Sequence, residues 1–116
     1  MRDHTKLRAF ELADEVALLV YRATKSFPKQ EIYGLVSQMR RAAVSVPSNI
    51  VEGCCRDSKM EYRRFLEIAF ASLRELHYQL SLSQRLGYGD PEALADCSQR
   101  IVETEKVLGS LLRSLK

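Results

Sequence analysis

The side chains able to do chemistry are few and scattered. His4 and His77 stand far apart, and no H-E-x-x-H, C-x-x-C or E-x-x-H spacing puts ligands on one helical face. Cys54 and Cys55 are adjacent and Cys97 is distant. Two adjacent thiols cannot alone supply a structural zinc site. An odd number of thiols without a usable pairing points to a reduced, cytoplasmic setting. His77 falls beside an apolar stripe, where a half-buried, hydrogen-bonded histidine is a plainer reading than a ligand. Gly34, Gly53, Gly87, Gly89 and Gly109 are dispersed, so no phosphate-cradling loop is expected. The residues predict no catalytic group, no metal and no cofactor, and a protein that is not an enzyme.

Charge says more. Residues 40–64 hold Arg40, Arg41, Arg56, Lys59, Arg63 and Arg64 against Glu52, Asp57 and Glu61, which is the whole net excess of +3. Convergent cations of this kind bind phosphates. The alternative is a solvated helix end with intramolecular pairs: antiparallel packing would set Arg40 or Arg41 near Glu67, and Glu52 near Lys59 or Arg63. For an isolated chain the second reading is plainer, but a ring of copies would multiply the cluster into a belt. Glu75 interrupts an apolar edge made by Ile68, Ala71, Tyr78 and Leu82. It either meets a cation from a neighbouring helix or subunit, or reaches water at a rim.

The elements that must position these groups are helical. A first segment, about Lys6 to Ser26, carries Phe10, Ala13, Ala17, Val20, Thr24 and Phe27, with a second stripe of Ala9, Leu12, Val16, Leu19 and Ala23 beside it. Phe27-Pro28 ends it. A second segment, about Gln30 to Gly53, keeps Ile32, Met39, Ala43, Val46 and Ile50 in one phase across Pro47. That continuity predicts one helix kinked at Pro47, with Ser45, Ser48 and Asn49 near the backbone groups that proline frees. Ser58 and Glu61 form a capping box opening a third helix, which Gly87 closes. Asp90-Pro91 opens a fourth, with Leu94, Cys97, Ile101, Thr104 and Leu108 inward. No alternating β pattern and no repeat is present.

The fold class predicted is all-α, an antiparallel up-down four-helix bundle, with residues 1–116 as one domain. The chain is 46% hydrophobic and 28% charged, which fits a globular class. It has no apolar run long enough to span a membrane, and its charged beginning, Met1 to Arg8, lacks a signal-peptide core, so no membrane partner is expected. The wide apolar face of the first helix and the second stripe on the third predict self-association.

The run Gln38-Met39-Arg40-Arg41-Ala42-Ala43-Val44-Ser45-Val46-Pro47-Ser48-Asn49-Ile50-Val51-Glu52-Gly53 resembles the signature of the four helix bundle protein family. Members of that family were noted as reading frames within intervening sequences of bacterial 23S ribosomal RNA genes. Phe27-Pro28, Glu31 to Leu35, Ser58 to Glu61, Phe65-Leu66, Ser72-Leu73, Glu75-Leu76 and Leu86 to Tyr88 match in order along nearly the whole chain. The one departure is Phe10 or Glu11 where the family often has tryptophan. The resemblance implies an up-down bundle assembled as a ring-shaped homopentamer, with no settled activity. In architecture rather than motif, the chain is also similar to accessory proteins of diversity-generating retroelements, which form basic pentameric barrels that bind nucleic acid and a reverse transcriptase. Its own charge is milder than theirs.

The expectation is therefore a non-enzymatic, oligomeric bundle that binds RNA, or a nucleic-acid-processing protein, through Arg40, Arg41, Arg56, Lys59, Arg63 and Arg64. The competing expectation is a protein-interaction scaffold without nucleic acid. Ser45, Pro47, Asn49, Glu52 and Gly53 are read as a structural motif, and Arg41, Ser45, Ser48 and Glu52 as a polar row on one side of the second helix.

Overall fold

A computed structural model describes residues 1–116. It contains four α-helices: α1 over Arg8–Thr24, α2 over Leu35–Cys54, α3 over Lys59–Leu86 and α4 over Pro91–Ser114. There is no strand. α2 packs on α1 and α3, and α4 packs on the same two, which is the cyclic up-down order. The bundle measures 43 × 24 × 20 Å. Its length is about that of α3, whose 28 residues span roughly 42 Å at 1.5 Å per residue.

Local chemistry explains the ends. Ser58 accepts from the backbone N–H of Glu61 at 3.0 Å, and Asp90 accepts from that of Ala93 at 3.2 Å. Only half of the expected capping box forms, because the Glu61 carboxylate lies toward Arg64 at 3.9 Å, on the exposed side. Gly87 closes α3 at φ +74°, a conformation that costs other residues a steric clash.

The second helix starts later than the periodicity predicts. Lys29–Glu31 form a 3₁₀ turn, and α2 begins only at Leu35. The Glu31 carboxylate accepts the N–H of Leu35 at 3.1 Å and the hydroxyl of Tyr88 at 3.1 Å, so it caps α2 from outside the helix. Ile32 matched the apolar phase but is half exposed at 50%.

α2 then runs on through Pro47. Ala43, Val46 and Ile50 are fully buried, as the unbroken phase requires. Proline in a helix costs about 3 kcal/mol. Burying a side chain such as Ile50 or Met39 contributes about 1.5–3 kcal/mol, so one or two of them offset it. Asn49 donates its side-chain N–H to the Ser45 carbonyl at 2.8 Å and to Ser45 Oγ at 3.0 Å, bracing the turn around the proline. Ser45 Oγ also shares a hydrogen bond with Ser72 Oγ of α3 at 2.8 Å. Gly53 shows how tightly α2 and α3 approach: a Cβ there would stand 3.0 Å from the Phe65 Cβ and 3.3 Å from the Tyr62 carbonyl oxygen.

The core is one cluster drawn from all four helices, from Ala9 on α1 to Leu108 on α4. Met39, Ile50, Leu66, Leu73, Leu76 and Ile101 are among its fully buried large side chains. Leu18 and Tyr21 on α1, Val44 on α2, and Ile68 and Tyr78 on α3 remain exposed.

Candidate nucleic-acid interface

Up-down order gathers the start of α1, the end of α2, the start of α3 and the end of α4 at one end of the bundle. Three bonds tie this end together, one of them a long one from Arg2 Nη1 to the Arg56 carbonyl at 3.5 Å. The Arg2 backbone N–H donates to the Cys54 carbonyl at 2.9 Å, and Arg63 Nη1 donates to the Leu112 carbonyl at 2.5 Å. Residues 1–6, 52–64 and 112–116 meet here. They hold Arg2, Lys6, Arg56, Lys59, Arg63, Arg64, Arg113 and Lys116 against Asp3, Glu52, Asp57 and Glu61. Their side-chain excess of four exceeds the chain's net +3, so the remainder of the molecule is slightly acidic.

Three guanidinium groups at this end lie against rings. Arg2 is 3.9 Å from the centroid of Tyr62, Arg56 is 4.8 Å from that of Phe65, and Arg64 is 5.8 Å from the same ring. Stacking of this kind holds a cation in place while its in-plane N–H edge can still reach an acceptor. The aromatic seat exists because Tyr62 and Phe65, one turn apart at the start of α3, flank the bare Cα of Gly53.

The six cations expected from the sequence do not form one cluster. Arg40 and Arg41 lie roughly 20 Å along α2 from Cys54, at 1.5 Å per residue. Arg40 turns to α1, where Nε donates to Thr24 Oγ1 at 2.9 Å, Nη2 donates to the Tyr21 carbonyl at 3.4 Å, and the guanidinium covers the Tyr21 ring at 4.7 Å. It thereby serves the carbonyl end of α1, the favourable position for a cation.

The expected pairings of Arg41 with Glu67, and of Glu52 with Lys59 or Arg63, are also absent. Arg41 faces α3 about two turns beyond Glu67: Ser45 faces Ser72, and Arg41 shares a cleft with Glu75. Glu67 meets Arg63 on its own helix at 3.9 Å, and Glu52 meets Arg56 at 4.0 Å. These exposed i,i+4 pairs contribute about 0.3–0.5 kcal/mol each.

Arg63 is the most restrained of the four at the basic end, held by both Leu112 and Glu67. Lys59 is exposed and has no ion pair or side-chain hydrogen bond, and Arg64 is exposed with a 3.9 Å contact to Glu61 beside its contact with the Phe65 ring. Arg2, Arg113 and Lys116 were missed by reading residues 40–64 as a unit. The up-down topology was the signal that could have found them, since it brings both chain termini beside the α2–α3 turn.

Elsewhere, Glu105 on α4 accepts from Arg74 at 3.0 Å and contacts His77 Nδ1 at 2.9 Å. His77 is thus a half-buried, hydrogen-bonded histidine, as expected. No group of three or more His, Cys, Asp or Glu side chains is arranged to hold a metal ion. No helix is long and apolar enough to cross a membrane. Desolvation raises the thiols of Cys54 and Cys97, the latter to about 11, and raises the Tyr62 hydroxyl.

An all-helical up-down bundle with a basic, aromatic-lined end defines the class. The chain belongs to the 23S rRNA-intervening sequence protein family, whose profile matches residues 5–110. A crystal structure of a protein of unknown function from the S23 ribosomal protein family of Bacteroides thetaiotaomicron superimposes with a TM-score of 0.80. It is 24% identical, and the match covers 90% of this chain and 95% of that one, which is a likeness of fold. No match is found among curated proteins.

Proposed function

We propose that the protein is a non-enzymatic, self-associating bundle that binds RNA, free or within a ribonucleoprotein, through the basic end formed by Arg2, Arg56, Lys59, Arg64 and the α4 terminus. The observation that carries this reading is the segregation of charge: the end holds more net positive charge than the whole chain, and three of its guanidinium groups are seated on rings. Seated guanidinium groups lose little side-chain freedom on meeting phosphate, and ring edges beside them suit unpaired bases. The family's association with 23S ribosomal RNA genes agrees with an RNA partner.

The test is titration of a fluorescent RNA hairpin with an unpaired loop at several salt concentrations. Affinity that falls steeply with salt is the expected result, because each phosphate contact releases counterions. No salt-sensitive binding at low ionic strength would overturn the reading.

A second reading, a protein-interaction scaffold, is favoured by the exposed apolar residues Leu18, Tyr21 and Val44 on one side and Ile68 and Tyr78 on another. Two separate apolar faces on one small bundle suit head-to-tail association into a ring. The family resemblance points to five copies. Light scattering should therefore give a mass several times the 13.3 kDa of one chain. A monomer at micromolar concentration would contradict self-association.

A further inference from the structure

On α3, away from the basic end, lies an open cavity of about 280 Å³ lined by Arg74, His77, Tyr78 and Ser81. The four stand three and four residues apart, so they share one face of the helix. Each can offer a hydrogen to an anion, and none is a carboxylate. Arg85 follows one turn further on. Its Nε donates to the Ser81 carbonyl at 3.3 Å, and its guanidinium lies 6.0 Å from the centre of the Tyr78 ring.

A carboxylate outside the cavity orients its two nitrogen bases. Glu105 of α4 has a side chain only 11% exposed and forms no part of the lining. Its Oε2 accepts from Arg74 Nη1 at 3.0 Å and meets His77 Nδ1 at 2.9 Å. Both bonds end on one oxygen atom, so the two nitrogens stand no farther apart than these bonds laid end to end. The imidazole is held by Nδ1, which leaves Nε2 free on the other edge of the ring. The guanidinium is held by one N–H and keeps the rest. A carboxylate that grips the far atom of a binding side chain preorganises the near one. Arg74, 60% exposed, and His77, 32% exposed, keep surface within reach of a ligand.

We propose that this cavity binds a phosphomonoester, its terminal phosphate held by Arg74, His77 Nε2 and the hydroxyls of Tyr78 and Ser81, with Arg85 adding positive charge beside them. A phosphomonoester ends in three strong acceptor oxygens, and four side chains supply donors for them. A carboxylate or a phosphodiester has two free oxygens and leaves part of that set unmet. With Nδ1–H on Glu105, Nε2 donates from the imidazolium form, which a bound anion favours. A planar group attached to the phosphate can lie on the exposed Tyr78 ring. The cavity begins about 15 Å along α3 from Arg64, at 1.5 Å per residue, so this assignment is independent of RNA binding at the basic end. Such a phosphate ends either a free nucleotide or a 5′-phosphorylated RNA strand.

The test maps amide chemical shifts of isotope-labelled protein at about pH 6, which favours the imidazolium. Adenosine 5′-monophosphate is the probe at up to about 10 mM, since a ligand of so few atoms in an open cavity binds in about the millimolar range. The expected result is saturable shifts at amides near residues 74–85 and 105, retained when Arg56→Glu, Lys59→Glu and Arg64→Glu remove the cations of the basic end. Adenosine, which lacks the phosphate, should bind there about tenfold or more weakly, and so should the monophosphate to Arg74→Gln. Tyr78→Phe keeps the ring and should weaken binding several-fold. Both positions are exposed, so these variants should keep the wild-type spectrum elsewhere. Adenosine tetranucleotides with a 5′-phosphate or a 5′-hydroxyl separate the two sources. The phosphorylated strand should bind at these amides several-fold more tightly than the hydroxyl strand. If it also binds more tightly than the monophosphate, the ligand is an RNA end; otherwise it is a free nucleotide. No saturable shift, or shifts confined to residues 56–64, would overturn the proposal. So would undiminished binding of adenosine, undiminished binding by Arg74→Gln, or equal binding of the two tetranucleotides.

Discussion

Arg63 and Lys59 lie one turn apart on α3, and their surroundings give them different work. Arg63 Nη1 donates to the Leu112 carbonyl at the end of α4, where the helix leaves its last carbonyls unpartnered, and its side chain is only 27% exposed. A charged hydrogen bond contributes about 1.5–3 kcal/mol, reduced here by partial exposure. Arg63→Ala should thus cost about 1 kcal/mol in urea unfolding, and Lys59→Ala should stay within about 0.5 kcal/mol of wild type. Equal effects would mean that the α3–α4 tie is not formed.

The buried acids carry a pH signature. Desolvation lifts the Cys97 thiol from 9.0 to about 11 and lifts Cys54 and Tyr62 in the same direction. A group with a raised folded-state value stabilises the fold fully below its unfolded value, and that stability is lost as pH rises toward the folded one. Stability should therefore be flat up to about pH 9 and fall between there and about pH 11. Thermal melts across that range check this, and Cys97→Ala should soften the fall.

At the scale of elements, the helix ends that rest on local chemistry were legible. Ser58, Gly87 and Asp90 each act where the sequence placed them, because a cap needs only its own turn. The continuity of α2 through Pro47 was legible because hydrophobic phase passes unbroken across it. Its start was not, because Ile32 fits the phase while Glu31 and Gly34 set the actual boundary. The register between α2 and α3 was not legible either. A stripe repeating at three and four says which face is inward but not how far one helix slides along the next.

That offset separates Arg41 from Glu67 and sets it beside Glu75. Gly53 fixes the closest approach of the two helices. Gly53→Val should destabilise by about 1–3 kcal/mol, since Phe65 Cβ and the Tyr62 carbonyl belong to a helix that cannot yield as a flexible side chain would. An unchanged urea midpoint would show that the pair can separate without loss.

For the molecule as a whole, topology converts a mild net charge into a polar distribution. Three stretches remote in sequence, among them both termini, converge on one end and make it the basic pole. This convergence explains why residues 40–64 alone hold only part of the cations at this end, with Arg40 drawn off to α1. It also selects the variant that best isolates RNA binding. Arg63 is excluded because its loss weakens the fold, whereas Lys59 has no ion pair and Arg56 and Arg64 make only exposed, long ion pairs and contacts with the Phe65 ring.

The most direct measurement is the salt dependence of RNA-hairpin affinity for wild type and for the combined Arg56→Glu, Lys59→Glu and Arg64→Glu variant. A cation contacting phosphate contributes about one unit to the slope of log affinity against log salt. If the basic end holds the RNA, the variant should bind much more weakly at low salt and lose about two to three units of slope, while still unfolding in one cooperative transition. Equal affinity and equal slope for the two proteins would contradict the assignment of RNA to this end of the bundle.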